Sequence, residues 1–356
     1  MTKLVGLDVG YGFVKATDGE SGYSFPSVVG EGHNKPTFST RTSHTLDDLK
    51  IGMGQKLYFV GKAAIRHSKF VYRDLSYTRA TGEDFEILFY SALSLFCHNR
   101  TNEFKVVTGL PVERIHLAKD LQTRVRGERT IKTLRGGEIQ DTRVYVSEVE
   151  IVPQPLGTYW SQFLNLEGEE AAVPLEGLTG IIDIGFRTTD LVAIEDGEYI
   201  SEKSKSLSVG LATAYSDVGS NLATEYGLEK ESYALDGAII KRKINVSGQT
   251  LDITDIVANA FEKLATNILV EINSQWRCPD FDNLILTGGG GQAVSSYLLP
   301  HLSQAKLAAD PITANCRGYL AWGNRLWKSP GTGEEAQAQA WAQAQAQAQA
   351  QAEQDS

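Results

Sequence analysis

Short apolar runs that stop at an acid or a glycine alternate along this chain with longer stretches of helical spacing. The first run, Leu4 to Val9, contains Asp8 and meets Gly10-Tyr11-Gly12; Phe13-Val14-Lys15 then resumes an extended pattern. This predicts a hairpin closed by a tight glycine turn. The pattern returns far downstream: Gly180-Ile181-Ile182-Asp183-Ile184-Gly185, a turn at Phe186-Arg187-Thr188-Thr189, and a returning strand from Leu191. Two such hairpins suggest a duplicated fold that holds one polyphosphate from both sides.

Between and beyond them the pattern predicts further elements. Phe85, Leu88, Phe89, Ala92, Leu93 and Phe96 mark a buried helix over 81–98, and a charged helix is expected over 115–125. Strands are expected over 104–112, 129–134 and 142–152, with Gly136-Gly137 joining the last two. A helix starts near Pro155, a residue suited to a first helical turn, and runs to about 166; an acidic linker covers 167–177. A β-meander over 191–204 leads to a helix that passes Leu222 and ends at Tyr226 with Gly227 as its cap. Ile256, Phe261, Leu264, Ile268, Leu269 and Ile272 lie on one face of a long helix over 252–276. The strand Leu284-Ile285-Leu286 runs into Gly288-Gly289-Gly290-Gly291, with a helix from Gln292 to about 302 and a last one ending near Trp327. Residues 31–56 read as a loop-rich insertion, and 229–250 as mixed and charged. From Ala336 to Ala352 alanine and glutamine alternate, with Trp341 the exception; a period of two gives a helix no amphipathic face, so a disordered tail is expected.

Composition narrows the chemistry. A net charge of −10 argues against direct, non-specific binding to nucleic acid or anionic membrane, and leaves open contact through an adaptor. Cys97, Cys278 and Cys316 have no metal-type spacing and are too few for a disulfide framework, which fits a reducing cytoplasm. The six histidines are scattered. No apolar run is long enough to span a bilayer, and Asp8 interrupts the apolar run near the start, so no secretory signal is expected.

Within the hairpins, glycines let backbone N–H groups approach an anion. Asp8 can hold the hydration shell of a Mg²⁺ ion, and Lys15 can supply positive charge. Gln154 stands at a strand-to-helix junction, between Pro153 and Pro155, where it could serve as a turn residue or orient a water at a γ-phosphate. Four glycines at a strand end fit close approach to a flat or charged ligand.

The order of these features resembles the actin and sugar-kinase ATPase superfamily over the whole chain except the tail. In detail it resembles the prokaryotic actin-like proteins of the ParM, plasmid-segregation type. The marks are Asp8 to Lys15, Thr108-Gly109-Leu110-Pro111-Val112, Asp183-Ile184-Gly185, Gly288-Gly289-Gly290 and Asn315-Cys316-Arg317-Gly318-Tyr319. The resemblance implies an α/β fold of two duplicated lobes around a nucleotide cleft, each with a smaller subdomain. Lobe I would span 1–153 with a subdomain near 31–56, and lobe II 154–328 with one near 211–265, followed by the tail 329–356. It implies that Gly10, Tyr11, Gly12 and Phe13 form a first phosphate loop with Lys15 on the β-phosphate. Gly185, Phe186 and Arg187 would form the second, and Gly288 to Gly291 would pack on the adenosine side. Asp8 and Asp183 would position hydrated Mg²⁺, and Gln154 would take the water-orienting place, as in actin, where ParM-like proteins often carry glutamate.

The activity implied is ATP binding, assembly into a homopolymer and disassembly on hydrolysis, in the cytoplasm, with a DNA-bound adaptor as partner. A small-molecule kinase of the same superfamily is the main rival, although no base for a substrate hydroxyl is identifiable. A filament that positions an organelle, a chaperone ATPase and a non-catalytic scaffold are the remaining alternatives.

Overall fold

The computed structural model describes residues 2–33, 46–135 and 138–328. The expected tail and Gly136-Gly137 lie outside them, as do residues 34–45 of the expected insertion. The chain forms two compact units: Met1–Pro174 with the segment from Thr313 onward, and Leu175–Ile312. Their limits differ from the lobes expected from sequence, because the helix after Pro153 and the final helix both pack within the first unit.

In the first unit, β1 (Thr2–Val9), β2 (Phe13–Thr17) and β3 (Gly22–Pro26) form an antiparallel meander. β4 (Val29–Glu31), β5 (Lys50–Met53), β6 (Lys56–Val60), α1 (Lys62–His67) and β7 (Val71–Tyr72) follow. Next come α2 (Glu83–Ser94), β8 (Thr101–Leu110), α3 (Ala118–Val125), β9 (Gly127–Arg135), β10 (Glu138–Pro153) and α4 (Pro155–Ser161). All ten strands join one sheet in the order β3-β2-β1-β8-β10-β9-β5-β6-β4-β7. The described part of the expected insertion thus extends the main sheet through β5 and β6. A helical turn at Lys62, just after Gly61, has no counterpart in the apolar pattern.

Strand periodicity assigns the two faces of β1. Val5, Leu7 and Val9 enter the buried cluster formed with Phe85, Leu88 and Phe89 of α2. Leu4 and Gly6 meet the final helix, Ala314–Lys328: a Cβ on Gly6 would lie 2.0 Å from the Cys316 carbonyl oxygen. Asp8 shares the parity of Leu4 and Gly6, and so the face toward α4 and the final helix. Those two helices touch at backbone level, since a Cβ on Gly318 would sit 1.7 Å from the Gly157 oxygen. Trp160 and Trp322 stack across the same contact with centroids 4.5 Å apart.

In the second unit, β11 (Leu178–Ile184), β12 (Thr189–Glu195) and β13 (Glu198–Leu207) repeat the meander. α5 (Leu211–Tyr226) ends on Gly227 in the left-handed region, as its sequence predicts. α6 (Ser232–Lys241) and the hairpin β14 (Lys243–Val246) and β15 (Gln249–Asp252) occupy the mixed, charged stretch. α7 (Thr254–Gln275), β16 (Asn283–Thr287), α8 (Gly288–Leu298) and β17 (Ala305–Leu307) complete the unit.

The second sheet runs β13-β12-β11-β16-β17, with β11, β16 and β17 parallel. The first sheet contains the same motif as β3-β2-β1-β8-β10, with β1, β8 and β10 parallel. Each unit is therefore built on one five-strand plan, with an acid at the end of its central strand.

Candidate functional site

In the first unit the hairpin closes over Gly10 to Phe13, because Val9 pairs with Val14. Ser27 pins the turn: its Oγ donates to the Gly10 carbonyl at 2.5 Å, and its N–H donates to the Gly12 carbonyl at 2.9 Å. A Cβ on Gly10 would stand 2.8 Å from the Phe13 carbonyl, 3.5 Å from Lys15 Nζ and 3.6 Å from Asp8 Oδ1. The missing side chain therefore leaves room beside the acid and the lysine.

Asp8 is 4% exposed. Lys15 Nζ donates to its Oδ2 at 2.9 Å, and Gln154 Nε2 donates to its Oδ1 at 3.2 Å. Cross-strand register places Lys15 directly opposite Asp8, which is why a spacing of seven residues brings the two together. Gln154 precedes the first residue of α4, and its N–H donates to the Leu110 carbonyl at 2.9 Å. Its own carbonyl accepts the Tyr319 hydroxyl at 2.9 Å. Asn315 Oδ1 accepts the Thr158 N–H at 3.1 Å and the Thr158 hydroxyl at 2.8 Å. The Asn315 to Tyr319 motif thus anchors α4 and fixes the backbone that carries Gln154. Of the residues expected in this unit, Asp8, Gly10, Gly12, Lys15 and Gln154 come together. Tyr11 points its ring into protein and is 8% exposed, and Phe13 begins β2 opposite Pro26.

In the second unit Asp183 is 6% exposed at the end of β11, directly opposite Asp190 of β12 and in register with Thr287 of β16. Opposed residues share a face, so this hairpin carries two buried acids where the sequence singled out one. Asp190 accepts hydrogen bonds from the Thr188 hydroxyl at 2.9 Å and from the Ser206 hydroxyl. The Gly185 N–H donates to the Thr188 carbonyl at 2.9 Å, closing the turn. The side chain of Phe186 lies against Tyr215 with centroids 5.1 Å apart and is buried. Arg187 is held by the Ser208 carbonyl at 3.2 Å.

The four glycines differ from expectation in form. They are the first turn of α8, which starts at Gly288 rather than at Gln292. Gly288 has φ 85°, and a Cβ there would lie 2.3 Å from Asp183 Oδ1; its N–H donates to the Pro311 carbonyl at 3.0 Å. Gly290 presses on Ile184, whereas a Cβ on Gly289 would meet nothing within 4 Å. Glycine's low helix propensity hides this start in sequence, because close packing on β11 outweighs it.

A 730 Å³ cavity lies between α5 and α7, lined by Asp217, Glu225, Asp252, Asp255 and Glu262 around Lys263. Five carboxylates against one ammonium make it a poor host for polyphosphate.

Residues 6–157 match the family described as actin-like proteins, N-terminal domain, and residues 181–299 match the C-terminal domain of the archaeal actin homologue described as MreB-like. The chain belongs to the actin-like proteins. A search of curated protein sequences gives no match. Among solved structures, this actin-like chain is similar to a 15-stranded ParM filament from Clostridium botulinum, at 25% identity and TM-score 0.76, covering 91% of this chain and 100% of that one. It is similar in fold to a non-polymerisable quadruple mutant of pCBH ParM, at 23% identity and TM-score 0.74, with the same coverage. The archaeal actin homologue Ta0583, in its complex with ADP, shares 21% identity with TM-score 0.73, again over 91% and 100% of the two chains.

Among the described residues no helix is long and apolar enough to cross a membrane, and no cluster of three His, Cys, Asp or Glu side chains is placed to hold a metal ion. Mg²⁺ beside phosphates usually keeps most of its waters and uses one or two carboxylates, and Asp8, beside Lys15 and the glycine turn, is a carboxylate of that kind. Asp8 and Asp183 are the buried acids at the ends of the two central strands.

Proposed function

We propose that this actin-like protein binds ATP with Mg²⁺, assembles into a homopolymer in the ATP state and hydrolyses ATP to disassemble. The observation that carries the reading is the joined set Lys15, Asp8 and Gln154, in which a buried acid beside an open glycine turn is held by a lysine and a glutamine.

In this reading the backbone N–H groups of Gly10 to Phe13 and of Gly185 to Arg187 bind phosphate oxygens, and Lys15 shifts from Asp8 toward the β-phosphate. Gly288 to Gly291 support the adenosine side, where the open flank of Gly289 leaves space. Asp8 and Asp183 hold the water shell of Mg²⁺, which when bound screens the phosphate charge. Gln154 orients the attacking water. An amide is a poor proton acceptor, so hydrolysis is slow in the free subunit and depends on assembly.

The ParM filament and the ADP-bound archaeal homologue support this choice, since fold and length agree across their whole chains. The cargo proposed is DNA such as a plasmid, reached through a DNA-bound adaptor in the cytoplasm, because a chain of net charge −10 is unsuited to holding DNA directly. A head-to-tail contact that does not close gives a filament.

The test is high-speed pelleting with negative-stain microscopy of the purified protein with Mg²⁺ and ATP, ADP or no nucleotide. Polymer with ATP that disappears as phosphate is released is the expected result. Protein that stays unassembled in every state, but makes ADP when a small hydroxylated substrate is added, would transfer the assignment to a kinase.

A further inference from the structure

Behind the first hairpin stands an arginine that the sequence pattern does not mark. Arg79 is 3% exposed, in a short 3-10 turn, Arg79–Thr81, ahead of α2. Its Nη1 donates to the Val9 carbonyl at 3.4 Å, and its guanidinium carbon lies 4.7 Å from the centre of the Tyr11 ring. Its Nη2 is buried without a hydrogen-bond partner, and Arg79 forms no ion pair among the described residues. Both of its contacts thus fall on residues that flank Gly10.

Tyr11 is gripped from several sides. Arg114 also lies over its ring, at 5.3 Å, and over the ring of Tyr77 at 4.4 Å, while the Tyr11 hydroxyl donates to the Ser76 carbonyl at 3.3 Å. The glycine turn is therefore fastened to the segment around residues 76–79 by the one side chain between its two glycines.

A buried guanidinium without a paired carboxylate is costly unless an anion comes close. Asp74, Asp84 and Asp8 act on it only from beyond ion-pair distance. Asp84 is engaged by Tyr72, and Asp8 is already held by Lys15 and Gln154. The compensating charge is therefore to be sought outside the chain, at the open turn that Arg79 backs.

We infer that Arg79 is a positioning residue for polyphosphate: it fixes the first hairpin through Val9 and Tyr11 and supplies the buried positive charge that favours an anion there. This inference rests on the nucleotide reading and adds a residue and a charge dependence to it. A purely structural Arg79 would matter equally for ligands of any charge. An electrostatic one makes affinity depend on the number of phosphates.

The experiment is titration of the wild-type protein, Arg79→Met and Arg79→Lys with adenosine, AMP, ADP and ATP, each with Mg²⁺. For Arg79→Met the expected loss is on the order of tenfold for ATP, smaller for ADP and absent for adenosine; Arg79→Lys recovers most of it. The same fractional loss for all four ligands, or no loss, overturns the inference and leaves the nucleotide reading standing. A wild-type protein that binds none of them overturns both. If Arg79→Met does not fold, Arg79→Gln takes its place: a loss graded by phosphate number supports the inference, and an ungraded or absent loss rejects it.

Discussion

The side-chain amide of Gln154 donates to the carboxylate of Asp8 at 3.2 Å, joining residues 146 positions apart. The contact exists because β10 delivers Gln154 to the start of α4, beside the end of β8, while β1 turns Asp8 to the same face. A glutamine oriented in this way has its donor end occupied by the acid. Its carbonyl oxygen is left as the group that can accept a hydrogen bond from water.

Gln154→Ala is expected to keep ATP binding within a few-fold and to slow phosphate release by tenfold or more, on the order of what one positioned polar group supplies. Gln154→Glu sets a second carboxylate against Asp8, and like charges at that separation disfavour joint ionisation. It is expected to weaken Mg²⁺-nucleotide binding, not merely turnover. Phosphate release and nucleotide affinity measured side by side on both variants would show the split, and equal behaviour of the two would reject it.

Asp183→Ala is expected to abolish hydrolysis while leaving long-lived polymer. The acid lies against Gly288, which carries no side chain, so shortening the acid introduces no clash there. A folded Asp183→Ala protein that releases phosphate at the wild-type rate would remove this acid from the site. Gly288→Ala should fail differently, losing stability through a Cβ 2.3 Å from the Asp183 carboxylate and a φ of 85°.

Much of this arrangement is written locally. An apolar strand, an acid and a glycine turn are contiguous, so both hairpins can be read directly, and Pro153 and Pro155 frame Gln154. What is not local is not readable in the same way. Tyr11 and Arg79 meet although they are far apart in sequence, and no periodicity marks either as a partner. The start of α8 is hidden because four glycines argue against helix, whereas a close approach to Ile184 demands them. Asp190 reads as one polar residue in a returning strand until register sets it opposite Asp183. The final helix joins the first unit through Gly6, Gly157 and Gly318, residues whose message is the absence of a side chain.

Gly318→Ala tests that joint. The new Cβ would stand 1.7 Å from the Gly157 oxygen, so the final helix must move away from α4. The expected cost is about 3 kcal/mol of stability, in the range for overpacking at a backbone contact. Because Tyr319 and Asn315 hold α4 from the same helix, hydrolysis should fall with stability. Thermal unfolding gives the first quantity and phosphate release the second; an unchanged melting temperature would contradict the packing argument.

Glu150 gives the fold a pH dependence of unusual sign. It lies on β10 in register with Val107, whose side chain meets Gly323 of the final helix. Burial pushes its carboxyl from the ordinary 4.5 up to about 7. In the unfolded chain it ionises near its ordinary value, so between these two points the folded state holds the extra proton. Stability from this group therefore falls as pH rises through that window, the reverse of a salt-bridged acid. The loss is complete above pH 7 and amounts to at most about 3 kcal/mol. Glu150→Gln mimics the neutral form at every pH. It should be more stable than the wild type at pH 8 by up to that amount and nearly equal to it at pH 4.5. Chemical denaturation of both proteins at the two pH values measures the difference, and curves that stay parallel across the window would assign Glu150 an ordinary, solvated carboxylate.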